Sequence, residues 1–111
     1  MSKKFKVEWA ESAENDLLKI VEYIALDSPK NALRILKKIK TRVQELYHTP
    51  NRCRVVPELQ DQGINQYREM LISPWRVVFR IADSKVFVVL VFDSRRDIED
   101  VLLKRLTGSN Y

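Results

Sequence analysis

Cysteine and histidine are almost missing from this sequence. It contains one cysteine, Cys53, and one histidine, His48. A single cysteine cannot form an internal disulfide, which agrees with a reducing compartment. One cysteine and one histidine also do not make a structural zinc site. We therefore expect neither a metal nor another cofactor.

Long apolar runs are missing as well. No run approaches the roughly 18 apolar residues that a membrane span needs. The opening residues, "MSKKFKVEW", lack the apolar stretch of a secretory signal. These absences predict a cytoplasmic protein without a membrane partner.

The composition is that of a folded domain. The chain has 111 residues, of which 45% are apolar and 32% charged. A chain of this length buries roughly two-thirds of its unfolded surface. We expect residues 1–111 to form one domain, with no internal repeat or low-complexity segment.

Positive charge is concentrated in one segment. The formal net charge is +5, and residues 29–47 hold six basic side chains against Glu45 alone. This segment therefore carries the whole excess, and the rest of the chain is balanced. Such a surface favours an acidic partner, which could be nucleic acid, an acidic protein or anionic lipid.

Hydrophobic periodicity predicts a strand followed by two helices. "KFKVEWA" alternates as a half-buried strand does. Apolar residues at three- and four-residue spacing predict a helix over about 12–26, with Ser12 as its N-cap. Ser28 followed by Pro29 opens a second helix that continues to about Tyr47. The link between the helices is so short that they must pack as an antiparallel hairpin.

The second half of the chain reads as strands. The segment "HTPNRCRVVPELQDQG" is predicted to be a loop, and strand-like runs follow at 66–72, 75–82 and 85–92. Asp83 and Ser84 form a tight turn between the last two. A short final helix is expected at about 97–106. The predicted fold class is α+β: an N-terminal strand, a helical hairpin, a three-stranded antiparallel meander that completes a four-stranded sheet, and a C-terminal helix.

Two arginines interrupt the apolar run "PWRVVFRI". A two-residue turn at 83–84 places Arg80 opposite Phe87 and Arg76 opposite Val91, so both arginines share one face, with Asp93 diagonal to Arg76. The other face should carry the helices, because it is almost wholly apolar. Its predicted residues are Trp75, Val77, Phe79, Ile81, Val86, Val88, Leu90 and Phe92. The arginine face is then the open one, and Arg68, Arg95 and Arg96 can join it.

Two interpretations of the arginine face remain. In the first, Arg76 pairs with Asp93 and the other side chains are solvated. In the second, the guanidinium groups form a groove that binds phosphates or acidic side chains. The candidate groove residues are Arg68, Arg76, Arg80, Asp93, Arg95 and Arg96.

Several spaced motifs resemble one family. "VEWAESAENDLLKIVEYIALDSPKNA" is followed by "PNRCRVVPEL", "YREML", "WRVVFRI" and "VFDSRRD". Their order and spacing resemble the RelE/ParE superfamily, the toxins of bacterial type II toxin–antitoxin (plasmid stabilisation) modules. The resemblance implies the fold predicted above.

The resemblance implies one of two activities. RelE-like members cut mRNA on the ribosome without a metal, and ParE-like members inhibit DNA gyrase by binding it. By position, the nuclease arginines fall on Arg68, Arg76 and Arg96, whereas two further nuclease positions hold Met70 and Leu102. The acid–base pair is thus incomplete, which favours the ParE branch and a protein that is not an enzyme. A ribosome-dependent RNase remains the alternative, as does a degenerate toxin that only binds antitoxin.

The resemblance also implies partners. A small, acidic, partly disordered antitoxin would neutralise the toxin, and its acidic chain could use the basic face of the second helix. We assign Arg34, Lys37, Lys38 and Arg42 to that face. The target would be gyrase or the ribosome with its mRNA, and a homodimer or a toxin–antitoxin hetero-oligomer is expected.

Overall fold

A five-stranded sheet with helices on both faces forms the fold of residues 4–107, the part of the chain that this computed structural model describes. The strand order is β1-β5-β4-β3-β2. β1 runs parallel to β5, and the other neighbours are antiparallel. The α+β fold class is confirmed. The elements are β1 (Lys6–Trp9), α1 (Glu11–Ala25), α2 (Pro29–Gln44), β2 (Arg54–Val55), α3 (Pro57–Gln60), β3 (Tyr67–Ile72), β4 (Trp75–Ala82), β5 (Lys85–Asp93) and α4 (Ile98–Thr107).

The helical hairpin packs on one face of the sheet. α2 begins as predicted, because the Ser28 hydroxyl accepts a hydrogen bond from the Asn31 amide at 3.1 Å. Ser12 is not the cap of α1, since that helix already begins at Glu11 with Ala10 as its N-cap. Apolar residues of both helices and of β3, β4 and β5 form the first core. Its buried members are Ala13, Leu17, Ile35, Ile39, Val43, Leu46, Ile72, Val77, Phe79, Val86, Val88 and Val91.

The predicted loop between α2 and β3 contains structure. The predicted second helix ends in a 3₁₀ turn, Glu45–Tyr47. Within the predicted loop, a second 3₁₀ turn, Pro50–Arg52, precedes the two-residue strand β2 and the single-turn helix α3. β2 pairs with β3 at Arg54↔Glu69 and Val55↔Arg68, which makes the sheet five-stranded rather than four-stranded. Sequence periodicity cannot detect a two-residue strand, because the pattern needs about four residues.

A β-bulge changes the register between β4 and β5. Arg80 lies opposite Phe87 as predicted, but Arg76 lies opposite Phe92 and not opposite Val91. The shift occurs beside Val78 and Phe79, and it leaves Val89 as an extra residue in β5. A strand that gains one residue reverses the alternation of every side chain beyond it.

The bulge gives the sheet a core on its second face. Leu90 and Phe92 were predicted to face the helical hairpin, but they point to the opposite side together with Val78. α4 and the segment around α3 cover them there. The predicted open face is therefore largely closed. The buried residues of this second core are Val56, Val78, Leu90, Phe92, Ile98 and Val101.

None of the helices within residues 4–107 has both the length and the apolar character that a membrane span requires.

Candidate functional site

Arg76 lies on the second face of the sheet, near the start of β4, and its side chain is only 8% exposed. Glu58 binds both terminal nitrogens of its guanidinium at 2.8 Å each, and Glu69 accepts from Nε at 2.6 Å. The guanidinium carbon also lies 5.1 Å from the ring centre of Phe92. Two carboxylates and an aromatic ring thus surround the guanidinium of Arg76, which was predicted to lie in an open groove.

Glu69 is held from two sides. Its side chain is fully buried, and Arg54 binds its second carboxylate oxygen at 2.5 Å. Arg54 is itself 56% exposed, so this end of the arrangement reaches solvent. A buried carboxylate is stable as an ion only when charged donors compensate for lost hydration. We call the four residues Arg54, Glu58, Glu69 and Arg76 the arginine network.

The first interpretation of the arginine face, in which Arg76 pairs with Asp93, is wrong. Asp93 binds the neighbouring Arg95 instead, with contacts of 2.5 and 2.9 Å. The hydrogen bonds from Arg95 hold the pKa of Asp93 at about 2. The bulge explains the error, because it places Phe92 opposite Arg76 and turns Asp93, the partner of Trp75, to the other face of the sheet.

The other predicted groove residues do not meet at one place. Arg68 lies on the opposite face from Arg76, because it pairs with Phe79, and it donates to the carbonyl of Cys53 at 2.5 Å. Arg80 shares the face of Arg76 but is exposed, 5.1 Å from the ring centre of Phe87. Arg95 and Arg96 are exposed beyond the end of β5. The structure therefore separates Arg68 from Arg76, and it brings Arg95 and Arg96 together with Asp93 at the end of β5.

The two acidic partners of Arg76 were not predicted, although both lie in motifs that the sequence shows. Glu69 lies in "YREML" and Glu58 in "VPEL", two of the quoted motifs. Alternation along β3 places Glu69 on the face of Arg76, because Glu69 pairs with Val78. Glu58 could not be assigned in this way, since it reaches the sheet from α3 in the predicted loop.

An apolar cavity lies beside the second core. Its volume is about 400 Å³, and its wall is mainly apolar. Leu102 belongs to this wall, and Met70 packs against the first core. The two positions that differ from the nuclease pattern thus hold packing residues. The cavity is lined by Ala10, Ser12, Leu59, Ile64, Tyr67, Val78, Val89, Leu90, Leu102 and Arg105.

An ion pair fastens α4 to the edge of β5. Arg105 donates to both carboxylate oxygens of Asp16 at 2.7 Å and to the Val89 carbonyl at 3.0 Å. Asp16 also accepts from the Val91 amide at 3.1 Å. β1 ends at the level of Val88, so these two side chains satisfy backbone groups that no strand covers. Sequence patterns gave no sign of this pair, because its members are 89 residues apart.

The four residues assigned to the basic face of α2 are exposed. Arg34, Lys37, Lys38 and Arg42 all lie on the side of the helix away from the first core, and Lys30 joins them. Arg42 pairs with Glu45 at 3.4 Å. This surface and the arginine network lie on different sides of the molecule. Among residues 4–107, no group of His, Cys, Asp or Glu side chains is placed to hold a metal ion.

Removal of the Glu58 charge is expected to weaken the fold in a pH-dependent way. Hydrogen bonds from Arg76 lower the pKa of Glu58 to about 2, from about 4.3 in an unfolded chain. A depressed folded-state pKa stabilises the fold above the unfolded value, and this contribution is lost as pH falls towards 2. Because Glu58 is 36% exposed, we expect Glu58→Gln to cost only about 1 kcal/mol at pH 7.

Urea denaturation at pH 7 and pH 3 measures this effect. The difference between wild type and Glu58→Gln should fall by about half at pH 3. Glu45→Gln is the control, because Glu45 is an exposed carboxylate outside the arginine network. An equal Glu58→Gln difference at both pH values would contradict the assignment.

Comparison with known proteins gives one family. The family model described as the ParE toxin of the type II toxin–antitoxin system parDE matches residues 7–98. A search of curated proteins finds no match to the sequence.

Two solved structures share the fold. A structure described as the chromosomal ParDE toxin–antitoxin system from P. aeruginosa is similar, with a TM-score of 0.67 and 22% identity, covering 81% of this chain and 96% of that one. The RelBE2 toxin–antitoxin complex from Mycobacterium tuberculosis is also similar, with a TM-score of 0.57 and 16% identity. That match covers 82% of this chain and 92% of the other.

Proposed function

We propose that this chain, which belongs to the ParE toxin family of type II toxin–antitoxin systems, inhibits DNA gyrase by binding to it and is neutralised by a cognate antitoxin. One observation carries the choice of binding over cleavage. Each nitrogen of the Arg76 guanidinium donates to a carboxylate of the same chain. A phosphate would therefore have to displace Glu58 and enter a site next to the buried charge of Glu69.

The candidate arginines of the nuclease alternative do not all lie on one face of the sheet. Phosphodiester cleavage needs a base, an acid and cations that meet at one phosphate. Arg68 lies on the opposite face of the sheet from Arg76, so the three candidate arginines cannot all converge on one phosphate. This separation supports a toxin without nuclease activity.

An antitoxin is the second partner in this proposal. The two similar structures are toxin–antitoxin complexes, and a partly disordered chain that folds on binding gains most from burying apolar side chains. The cavity of about 400 Å³ beside the second core offers such a surface. We propose that apolar antitoxin side chains pack there, which gives a toxin–antitoxin hetero-oligomer in the bacterial cytoplasm.

A supercoiling assay with purified chain and gyrase tests the proposal. Inhibition should appear when the toxin is present at the concentration of gyrase or above, and addition of the antitoxin should reverse it. Expression of the chain alone should arrest growth. The matched control is Arg96→Ala, which should leave gyrase inhibition unchanged but would abolish activity under the nuclease alternative.

Two results would overturn the proposal. Cleavage of mRNA on translating ribosomes that is lost in Arg96→Ala, without gyrase inhibition, would identify a nuclease. A folded chain that binds antitoxin but inhibits neither gyrase nor growth would identify a degenerate toxin.

A further inference from the structure

The outer side of α2 carries four basic side chains in a row. Lys30, Arg34, Lys37 and Lys38 are all exposed, and α2 turns its buried residues to the opposite side. We call these four residues the basic stripe. A helix rises 1.5 Å per residue, so the stripe is about 12 Å long with steps of about 6 Å between Lys30, Arg34 and Lys38.

Carboxylates of the same chain do not neutralise the stripe. Within residues 4–107, Lys30, Lys37 and Lys38 form no ion pair, and Arg34 donates to the neutral amide oxygen of Asn31 at 3.1 and 2.7 Å. Beyond the C-terminal end of the stripe the pattern differs. Lys40 pairs with Glu14, and Arg42 pairs with Glu45. The segment of α2 from Lys30 to Lys38 is thus the part left positive on its exposed side.

This arrangement disfavours the helix that carries it. Like charges three and four residues apart repel each other, as in Lys30 with Arg34 and Arg34 with Lys37. The first turn of α2 contains no acidic residue, so Lys30 lies near the positive end of the helix dipole without compensation. The fold gains nothing from the stripe, which points to a ligand outside the chain.

The chemistry of the stripe fits a phosphate backbone. The outer side of a single helix is convex, so it offers no pocket for one specific group. Three of the four side chains are lysines, which bind phosphates as hydrated point charges and need no bidentate geometry. A duplex presents closely spaced phosphates that need only matching positive charges.

We infer that the basic stripe binds the phosphate backbone of a nucleic-acid duplex. A single strand fits less well, because single-strand surfaces stack bases on aromatic side chains and the stripe has none. The inference does not require the proposed function to be correct. The inference also agrees with the proposed function. Gyrase and the ribosome both act in contact with nucleic acid, and the basic stripe would hold the chain against that nucleic acid.

The test is fluorescence anisotropy of the full-length chain with a labelled DNA duplex of about 20 base pairs, from 50 to 200 mM salt. Four phosphate contacts predict a slope of log K against log salt of about −3.6, which is a loss of affinity of about 100-fold over this range. The stripe variant carries Lys30→Gln, Arg34→Gln, Lys37→Gln and Lys38→Gln. It should bind at least about 30-fold more weakly at 50 mM salt, with a slope between about 0 and −1.

The control variant has the same charge in a different place. Lys6→Gln, Arg52→Gln, Arg80→Gln and Lys85→Gln also remove four exposed cations, so both variants change the formal net charge from +5 to +1. The control should keep binding within about threefold of wild type and most of its salt slope. Thermal unfolding should show the stripe variant to be at least as stable as wild type, because repulsion within α2 is removed.

Parallel titrations identify the ligand. Equal binding of a DNA duplex and an RNA duplex supports recognition of the shared phosphate backbone. Tighter binding of one duplex than of the other also supports the inference, provided that the stripe variant loses that binding. Tighter binding of a single strand would overturn the inference. So would tighter binding of a polyglutamate peptide, because the surface would then be one for an acidic protein such as the antitoxin. Equal losses in the two variants, or no duplex binding by wild type at 50 mM salt, would also overturn it.

Discussion

Replacement of Arg76 by methionine is expected to lower the free energy of unfolding by about 3 kcal/mol, although the new side chain fits the same space. The substitution removes the buried cation that pairs with Glu69. Glu69 has no exposed side-chain surface, and only the mostly exposed Arg54 would still compensate its charge. Breaking a buried pair costs more than the pair contributes, because one charge remains buried and uncompensated.

Thermal and urea denaturation at pH 7 measure this loss. For a domain of this size, about 3 kcal/mol corresponds to a fall in Tm of about 12 °C. The informative control is the double variant Arg76→Met with Glu69→Leu, which removes both buried charges. It should recover more than half of the lost stability, since well-packed apolar pairs often replace buried ion pairs without cost. A double variant as unstable as the sum of both single variants would show that the two residues do not interact.

Replacement of Asp16 by alanine is expected to cost about 2 kcal/mol, the second largest effect in the molecule that we predict. The change leaves the Val91 amide without its acceptor and removes the carboxylate partner of Arg105, which keeps only its bond to the Val89 carbonyl. Val91 is buried, and the Arg105 side chain is 27% exposed. We also expect α4 to loosen, because Arg105 is the residue that joins it to α1.

Hydrogen exchange separates the two consequences. The Val91 amide should exchange much faster in Asp16→Ala, and amides of α4 should lose protection more than those of α2. Asp16→Asn is the matched control, because its amide oxygen can still accept from Val91. It should lose less than half of the stability that Asp16→Ala loses. If protection in α4 is unchanged in Asp16→Ala, the ion pair does not hold the helix.

The helices and the strands of the meander were predictable from local signals. Ser28 and Pro29 mark the start of α2 because a hydroxyl cap and a fixed φ act within one turn. Arg80 was correctly placed opposite Phe87, since the two-residue turn at Asp83 and Ser84 fixes the pairing nearest to it. Such signals act between residues that are close in the sequence, so they can be read from the sequence directly.

The partners of Arg76 were not predictable from the same signals. The bulge at Val89 depends on how β5 packs against two cores at once, and no turn residue marks it. Glu58 joins Arg76 from a loop 18 residues away, through a helix of one turn. The error at Asp93 follows from the bulge alone, because an uninterrupted ladder would have kept Asp93 close to Arg76.

The extra residue in β5 also affects how relatives of this chain are to be aligned. A relative with a regular β5 would have one residue fewer between the turn and the end of the strand. Beyond Val89, an alignment without a gap would therefore match residues on one face of the sheet with residues on the other face. Placing a one-residue gap at Val89 restores the correspondence. In such a relative, the counterparts of Asp93 and Arg96 are found only with that gap in place.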